Sequence, residues 1–238
     1  MSEEITIEID QAALEAVPVF PLPGTVLLPH TLVSLHIFEP RYRQMMAYCL
    51  EGHRVMALAM LDENGQPDVH GRPPVHATAG LGYVRRSAKL PDGRYNVVLE
   101  GVARVDVGDE HPPETAFRRA RARLLPDEPA EPTPKLTTAA HALRALASRA
   151  MSAGEKGREV ASALSELDPS RLADAVAAAT LEDAAERQRV LETIPVGARL
   201  ELVSGALGAM LLDLPEPAMT PREGEAKLPS WGVTPGKA

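Results

Sequence analysis

The residues of this 238-residue chain that could do chemistry are seven histidines, one cysteine and a dense run between Val19 and Met46. The run reads VFPLPGTVLLPH and then TLVSLHIFEPRYRQMM, with four prolines, two histidines and a Glu-Pro-Arg-Tyr step. A general base needs an acid or a nucleophile within hydrogen-bond reach, and none stands at a telling spacing from His36. The alternating run Leu32–Phe38 places His36 opposite Leu35 and Ile37, so a hydrogen-bonded histidine that fixes the next turn is expected. His70 and His76 flank a Gly-Arg-Pro-Pro loop, but no cysteine or further histidine joins them at metal-ligand spacing, so they are expected as exposed loop histidines. Cys49 falls on an apolar helical stripe with nothing nearby to stabilise a thiolate, so it is expected as a buried structural thiol.

Nucleotide and hydrolase signatures are missing too. Gly154-Glu155-Lys156-Gly157 does not supply the amide cradle of a phosphate-binding loop, and there is no GxSxG elbow or HExxH pair. Arg118, Arg119, Arg121 and Arg123 could bind nucleic acid, but no aromatics interleave with them as a stacking platform needs. The net charge of −8 favours a solvated strand face for them and speaks against nucleic-acid binding. No catalytic residue, metal or cofactor is therefore expected.

The elements that would position these residues are legible from periodicity. Tyr95, Val97, Leu99, Gly101, Ala103, Val105 and Val107 alternate with Asn96, Glu100, Arg104 and Asp106, a strand with one buried and one solvent face. Pro91-Asp92-Gly93 marks a turn, and Leu81–Leu90 can pair across it as a long hairpin. Arg54–Leu61 is a short apolar strand, and Phe117–Leu125 alternates again. One helix interrupts the strands. Pro40 suits its first position, Tyr42, Met45, Met46, Cys49 and Leu50 form its apolar stripe, and Gly52 suits its stop.

After the acidic, proline-rich hinge Asp127–Pro134 the composition becomes alanine- and leucine-rich and nearly free of strand formers. Asp168-Pro169 marks a helix start, Thr180 and Asp183 resemble a capping box, and Pro195 opens a last helix. That helix carries Val196, Leu200, Val203, Leu207, Met210 and Leu214 at alternating spacings of four and three, as expected of a bundle helix. Residues 215–238 are rich in proline and glycine and are expected as a flexible tail, in which Trp231 is either a partner anchor or a tail residue. The fold class is α+β, divided into residues 1–126, 135–214 and the tail 215–238.

Apolar residues make up 45 % of the chain and aromatics only 3 %, so aliphatic side chains and alanine must fill the core. A single cysteine permits no intramolecular disulfide and fits a reducing cytoplasm. MSEEITIEIDQ is acidic without an apolar core, so no signal peptide is expected, and no apolar run of about 18 residues suggests a membrane span. A cytoplasmic protein is expected.

Several stretches together carry a family resemblance. Phe20-Pro21-Leu22-Pro23, Leu28-Pro29, Leu35 to Tyr42 (LHIFEPRY) and Gly80-Leu81-Gly82 resemble the start of the Lon protease N-terminal substrate-binding domain. Leu172 to Ala177 (LADAVA) and Gln188 to Leu200 (QRVLETIPVGARL) are similar to the family's helical extension. The resemblance spans roughly residues 15–214 and implies a PUA-like β pseudo-barrel with one helix, followed by a helical bundle. It implies handling of unfolded or damaged polypeptide, and no catalysis, since the Lon ATPase and protease modules are not in this sequence. The expected partner is thus an unfolded polypeptide or a protein, bound in an apolar groove with Leu22, Leu27, Leu28 and Phe38 as its expected lining. An RNA-binding PUA-like module is the alternative. Glu39 and Arg41 are expected to pair or to satisfy backbone groups.

Overall fold

The structure is a computed structural model that describes residues 9–129, 133–151, 159 and 162–213. Leu214 and residues 215–238 with Trp231 lie outside the described residues. A short helix that periodicity did not suggest comes first, α1 (Gln11–Glu15), capped by the Asp10 carboxylate, which accepts from the Ala12 amide at 2.9 Å. Then follow β1 (Val17–Leu22), β2 (Leu32–Ile37), α2 (Pro40–Glu51), β3 (Val55–Met60), β4 (Thr78–Lys89), β5 (Tyr95–Glu110) and β6 (Arg118–Leu124).

The strands are ordered β2-β5-β4-β3-β1-β6, and β6 pairs back onto β5. β5 is long enough to serve two partners along one edge, β2 on Tyr95–Glu100 and β6 on Val105–Glu110. The pairing with β6 closes a small barrel, with β1 and β3 running parallel inside it. Register shifts in the β4–β5 ladder, at Leu81/Gly82 and Val84/Arg86, bend the long hairpin as bulges do. β2 stays outside the closed barrel, paired among the described residues with β5 alone.

Small side chains make the barrel narrow. Ala57, Ala59, Ala79, Ala120 and Ala122 pack with Val17, Val19, Leu81 and Val105 in one buried cluster. The second cluster sets Tyr42, Met45, Met46 and Cys49 of α2 against Met56, Leu58, Val97 and Leu99. α2 begins with Pro40 at its first turn and ends at Gly52. Between β1 and β2 the chain crosses directly over the sheet. Gly80 and Gly101 allow this, because a Cβ at either would strike the carbonyl oxygen of Leu27 or Leu28.

The second part is helical: α3 (Pro134–Met151), α4 (Pro169–Thr180), α5 (Ala184–Glu192) and α6 (Val196–Asp213). Asp168 caps α4 by accepting from the amides of Ser170 and Arg171, and Asp183 caps α5 by accepting from that of Ala185. Thr180 takes no part in that second cap. Its hydroxyl donates back to the Val176 carbonyl at 2.8 Å and closes α4 instead. Val196, Leu200, Val203 and Leu207 of α6 are buried in one cluster with Leu136, Leu143, Leu172 and Val176. The seam runs out at Met210, which is 37 % exposed. Among the described residues no helix is long and apolar enough to cross a membrane.

Arg104 joins the two parts. Alternation assigned it to the solvent face of β5, but the helices cover that face and leave it 3 % exposed. Its guanidinium donates to both carboxylate oxygens of Asp174, at 3.0 and 2.5 Å, and to the Leu191 carbonyl at 3.1 Å. Arg199, fully buried, donates to Asp127 at 2.7 Å and to the Ser170 hydroxyl at 2.6 Å, and Ser170 donates to Asp127. Two cations and two carboxylates thus compensate one another where barrel, hinge and bundle meet.

Candidate functional site

The four expected groove residues do not come together. Leu27 and Leu28 are each 1 % exposed, and they point into different cores: Leu27 into the cluster under α2, Leu28 into the helical cluster. The close crossing over Gly80 and Gly101 is the physical reason, since a segment held that tightly against the sheet buries both side chains. Neither leucine can line an exposed groove. Phe38 is 60 % exposed, stacked at 6.3 Å on His36, away from Leu22. Of the four, Leu22 lines a groove.

That groove has a volume of about 480 Å³ and is walled by the end of β1, the start of α2, Leu61, the loop His70–Pro73 and the β5–β6 connection from His111. Tyr42 and Phe117, 6 % and 7 % exposed, form its floor. Phe20 backs Tyr42 at a ring separation of 4.5 Å, and Tyr48 backs Phe117 at 5.5 Å. Burial raises the Tyr42 phenol above its ordinary value, so the floor is uncharged at neutral pH. Pro21, Pro23, Pro73, Pro112 and Pro113 make the walls. Proline has fixed φ and no amide donor, so these walls are stiff and offer few groups that read a hydrogen-bond pattern.

The charges at the rim are spent on one another. Arg41 pairs with Glu39 at 2.9 Å and lies 4.5 Å over the Tyr42 ring. Arg72 pairs with Asp68 at 2.6 Å and with Glu110 at 2.9 Å. Arg118 pairs with Glu110 and donates to the Pro73 carbonyl at 2.7 Å, tying two walls together. The Asp68 carboxyl is held down to about 2, chiefly by the Arg72 amide and also by the Arg72 guanidinium and the His70 amide. An apolar floor inside a self-neutralised rim suits side-chain burial better than ion capture.

The remaining candidates take structural places. His36 accepts at Nε2 from Arg94 at 3.2 Å and shares Nδ1 with the Asn96 carbonyl oxygen at 2.7 Å, bridging β2 and β5 rather than fixing the following turn. His70 is exposed, but His76 is half-buried and bonds Glu192 of α5 at 2.8 Å. Burial pushes the Cys49 thiol up to about 12. Arg119, Arg121 and Arg123 pair with Glu114, Glu15 and Asp106. Sequence reasoning missed the walls contributed by Leu61, Pro73, Pro112, Pro113 and Phe117. The Pro-Pro steps of the two long loops were the available signal, but nothing local says that those loops meet.

Comparison with known proteins places the whole arrangement. Residues 16–208 match the family model described as the ATP-dependent protease La (LON) substrate-binding domain. The chain is 27 % identical over 190 residues to a Lon protease of Xanthomonas oryzae pv. oryzae, covering 79 % of this chain and 22 % of that protein. It is 28 % identical over 191 residues to a Lon protease of Azorhizobium caulinodans, covering 80 % and 22 %. The chain thus matches about a fifth of the length of these curated relatives. In fold it is similar to the N-terminal domain of a Mycobacterium avium complex Lon protease, with a TM-score of 0.67 at 19 % identity, covering 82 % of this chain and 98 % of that one. It is also similar to a Lon N-terminal domain protein from Xanthomonas campestris, with a TM-score of 0.57 at 17 % identity, covering 84 % and 99 %.

Proposed function

Since the chain belongs to the ATP-dependent protease La (LON) substrate-binding domain family over residues 16–208, we propose that it is a non-catalytic recognition module for unfolded polypeptide. The groove beside Leu22 is its proposed binding site. One observation carries the reading: a proline-walled groove with an aromatic floor whose rim arginines are already paired with Glu39, Asp68 and Glu110. Such a groove gains free energy by burying apolar side chains, about 2 kcal/mol for each one fully removed from water, with little dependence on sequence. The volume of about 480 Å³ holds a few side chains of an extended segment and not a folded domain. We also propose that residues 1–126 and 135–214 act as two parts of one module, with the buried Arg104–Asp174 pair fixing the barrel against the bundle.

Fluorescence anisotropy of a labelled, permanently unfolded polypeptide tests this, with labelled single-stranded RNA alongside. The expected result is polypeptide binding that persists at high salt and weakens about tenfold in Leu22→Glu, because the groove then holds an uncompensated carboxylate. RNA binding that collapses with salt would contradict the reading, since loss with salt is the mark of phosphate neutralisation.

A further inference from the structure

The outer edge of β2 is a surface that neither the barrel nor the Leu22 groove uses. Among the described residues β2 has β5 as its one strand partner. Their ladder fixes which way its main chain points. The Gly101 amide donates to the Thr31 carbonyl at 2.9 Å, and the register runs from Leu32 opposite Glu100 to Ile37 opposite Tyr95 without a shift. Hydrogen-bonded and non-hydrogen-bonded pairs alternate in an antiparallel ladder, so Val33, Leu35 and Ile37 turn their amides and carbonyls to β5. Leu32, Ser34 and His36 turn theirs outward. Such an edge is a template for another strand, and natural edges are blunted by a charge, a proline or a bulge. This one has none of them: no Asp, Glu, Lys, Arg or Pro lies between Thr31 and Phe38. Two large apolar side chains stand on the same face. Leu32 opens the strand and is 67 % exposed; Phe38 follows its end, 60 % exposed, with its ring stacked on His36.

The stretch is complementary to itself. Turned antiparallel about Leu35, Leu32 faces the partner's Phe38, Val33 the partner's Ile37, Ser34 the partner's His36, and Leu35 the partner's Leu35. This register sets the outward main-chain groups of Ser34 against those of the partner's His36, and each exposed apolar side chain against another. We infer that the edge of β2 docks a second copy of this chain, pairing antiparallel about Leu35 so that the two sheets join. Charge permits it. Each copy has a net charge of −8, and the paired strands bring none of that charge together. Glu39, the nearest acid along the chain, is already paired with Arg41 of its own copy at 2.9 Å. Area sets the strength. At their exposures Leu32 and Phe38 offer roughly 200 Å² per copy, so with the strand edge between them the seam lies at or below the ~1,200 Å² where stable interfaces begin. The pairing is therefore a reversible, concentration-dependent dimer and not an obligate one.

Analytical ultracentrifugation of the full chain between about 1 and about 200 µM is the first test, and a monomer–dimer equilibrium with a micromolar dissociation constant is expected. Ser34→Pro removes an outward amide and leaves the ladder to β5 intact, since proline fits an edge strand whose N–H faces solvent. It is expected to weaken the dimer at least about tenfold while the monomer melts as the parent does. Disulfide trapping in a glutathione buffer reads the register. Leu35→Cys sets two thiols directly opposite, with Cβ atoms about 5 Å apart, and is expected to cross-link. Val33→Cys, half-buried on the same face, holds them more than about 10 Å apart and is expected to stay single. Cys49 is buried, so the parent stays single as well. Leu22→Glu is expected to leave the dimer unchanged, which separates this edge from the groove. A monomer at every concentration, a dimer indifferent to Ser34→Pro, or equal trapping from positions 33 and 35 would each overturn the inference. So would a chain that stays monomeric and loses its binding of labelled unfolded polypeptide in Ser34→Pro, which would give the edge to that polypeptide instead.

Discussion

Leu28→Ala separates packing from recognition. Leu28 is 1 % exposed and is the buried residue of the β1–β2 crossing in the helical cluster, with Leu136, Leu172 and Val196, while Val26 packs against that cluster half-buried. Truncation removes most of a fully buried leucine, a transfer loss of about 2 kcal/mol. A cavity is added, because the carbonyls of Leu27 and Leu28 rest against Gly80 and Gly101 and leave the segment little room to settle. The sum is about 3 kcal/mol, within the usual range for buried leucines. For a chain of this size each kcal/mol moves the melting temperature by about 2–4 °C, so a loss on the order of 10 °C is expected. Leu22→Ala, at a half-buried groove position, is expected to do the reverse: little change in melting and weaker binding of unfolded polypeptide. Thermal unfolding by circular dichroism and anisotropy at a temperature where both variants are folded give the two readouts. The reasoning is refuted if Leu28→Ala melts like the parent, or if it lowers polypeptide affinity while the fold stays intact.

Three further outcomes follow from the same structure. Arg104→Met leaves the Asp174 carboxylate buried with Arg199 alone and should cost about 3 kcal/mol in urea unfolding at neutral pH. Burial already holds the Asp174 carboxyl above its ordinary value, against the pull of Arg104. The folded state therefore keeps that proton more tightly than the unfolded chain, so this group's contribution falls as pH rises above 3.8, more steeply in the variant; a pH-independent deficit would contradict this. Asp68 should titrate near 2 by carbonyl NMR. Its lowered value makes its hold on the His70–Arg72 loop fully present above 3.8 and lost as pH falls through about 2, and a midpoint at 3.8 would contradict the loop geometry. Cys49, with its thiol pushed up to about 12, should stay unreactive to a thiol reagent at pH about 8 until the protein unfolds.

Local signals located most elements and few contacts. The alternation from Tyr95 to Val107, the turn at Pro91-Asp92-Gly93 and the helix start at Pro40 are properties of neighbouring residues, and the structure has β5, the β4–β5 hairpin and α2 there. The Asp168-Pro169 start is equally local and appears as a capped α4. What failed was everything that depends on distant chain. Arg104 alternates like a solvent residue, yet helices from more than 60 residues downstream cover it. Leu27 and Leu28 look like surplus apolar surface until the glycines at 80 and 101 admit the crossing segment. The groove is assembled from five separate stretches, so walls that meet only in the fold carry no local signal.

The most direct measurement places a photo-reactive benzophenone side chain at position 22, and separately at position 212, which is apolar, 86 % exposed and on α6. Each protein is irradiated with the labelled unfolded polypeptide at high salt. The account predicts a strong adduct from position 22 and little from position 212. Equal labelling from both positions, or labelling from position 212 alone, would contradict a recognition site in the proline-walled groove.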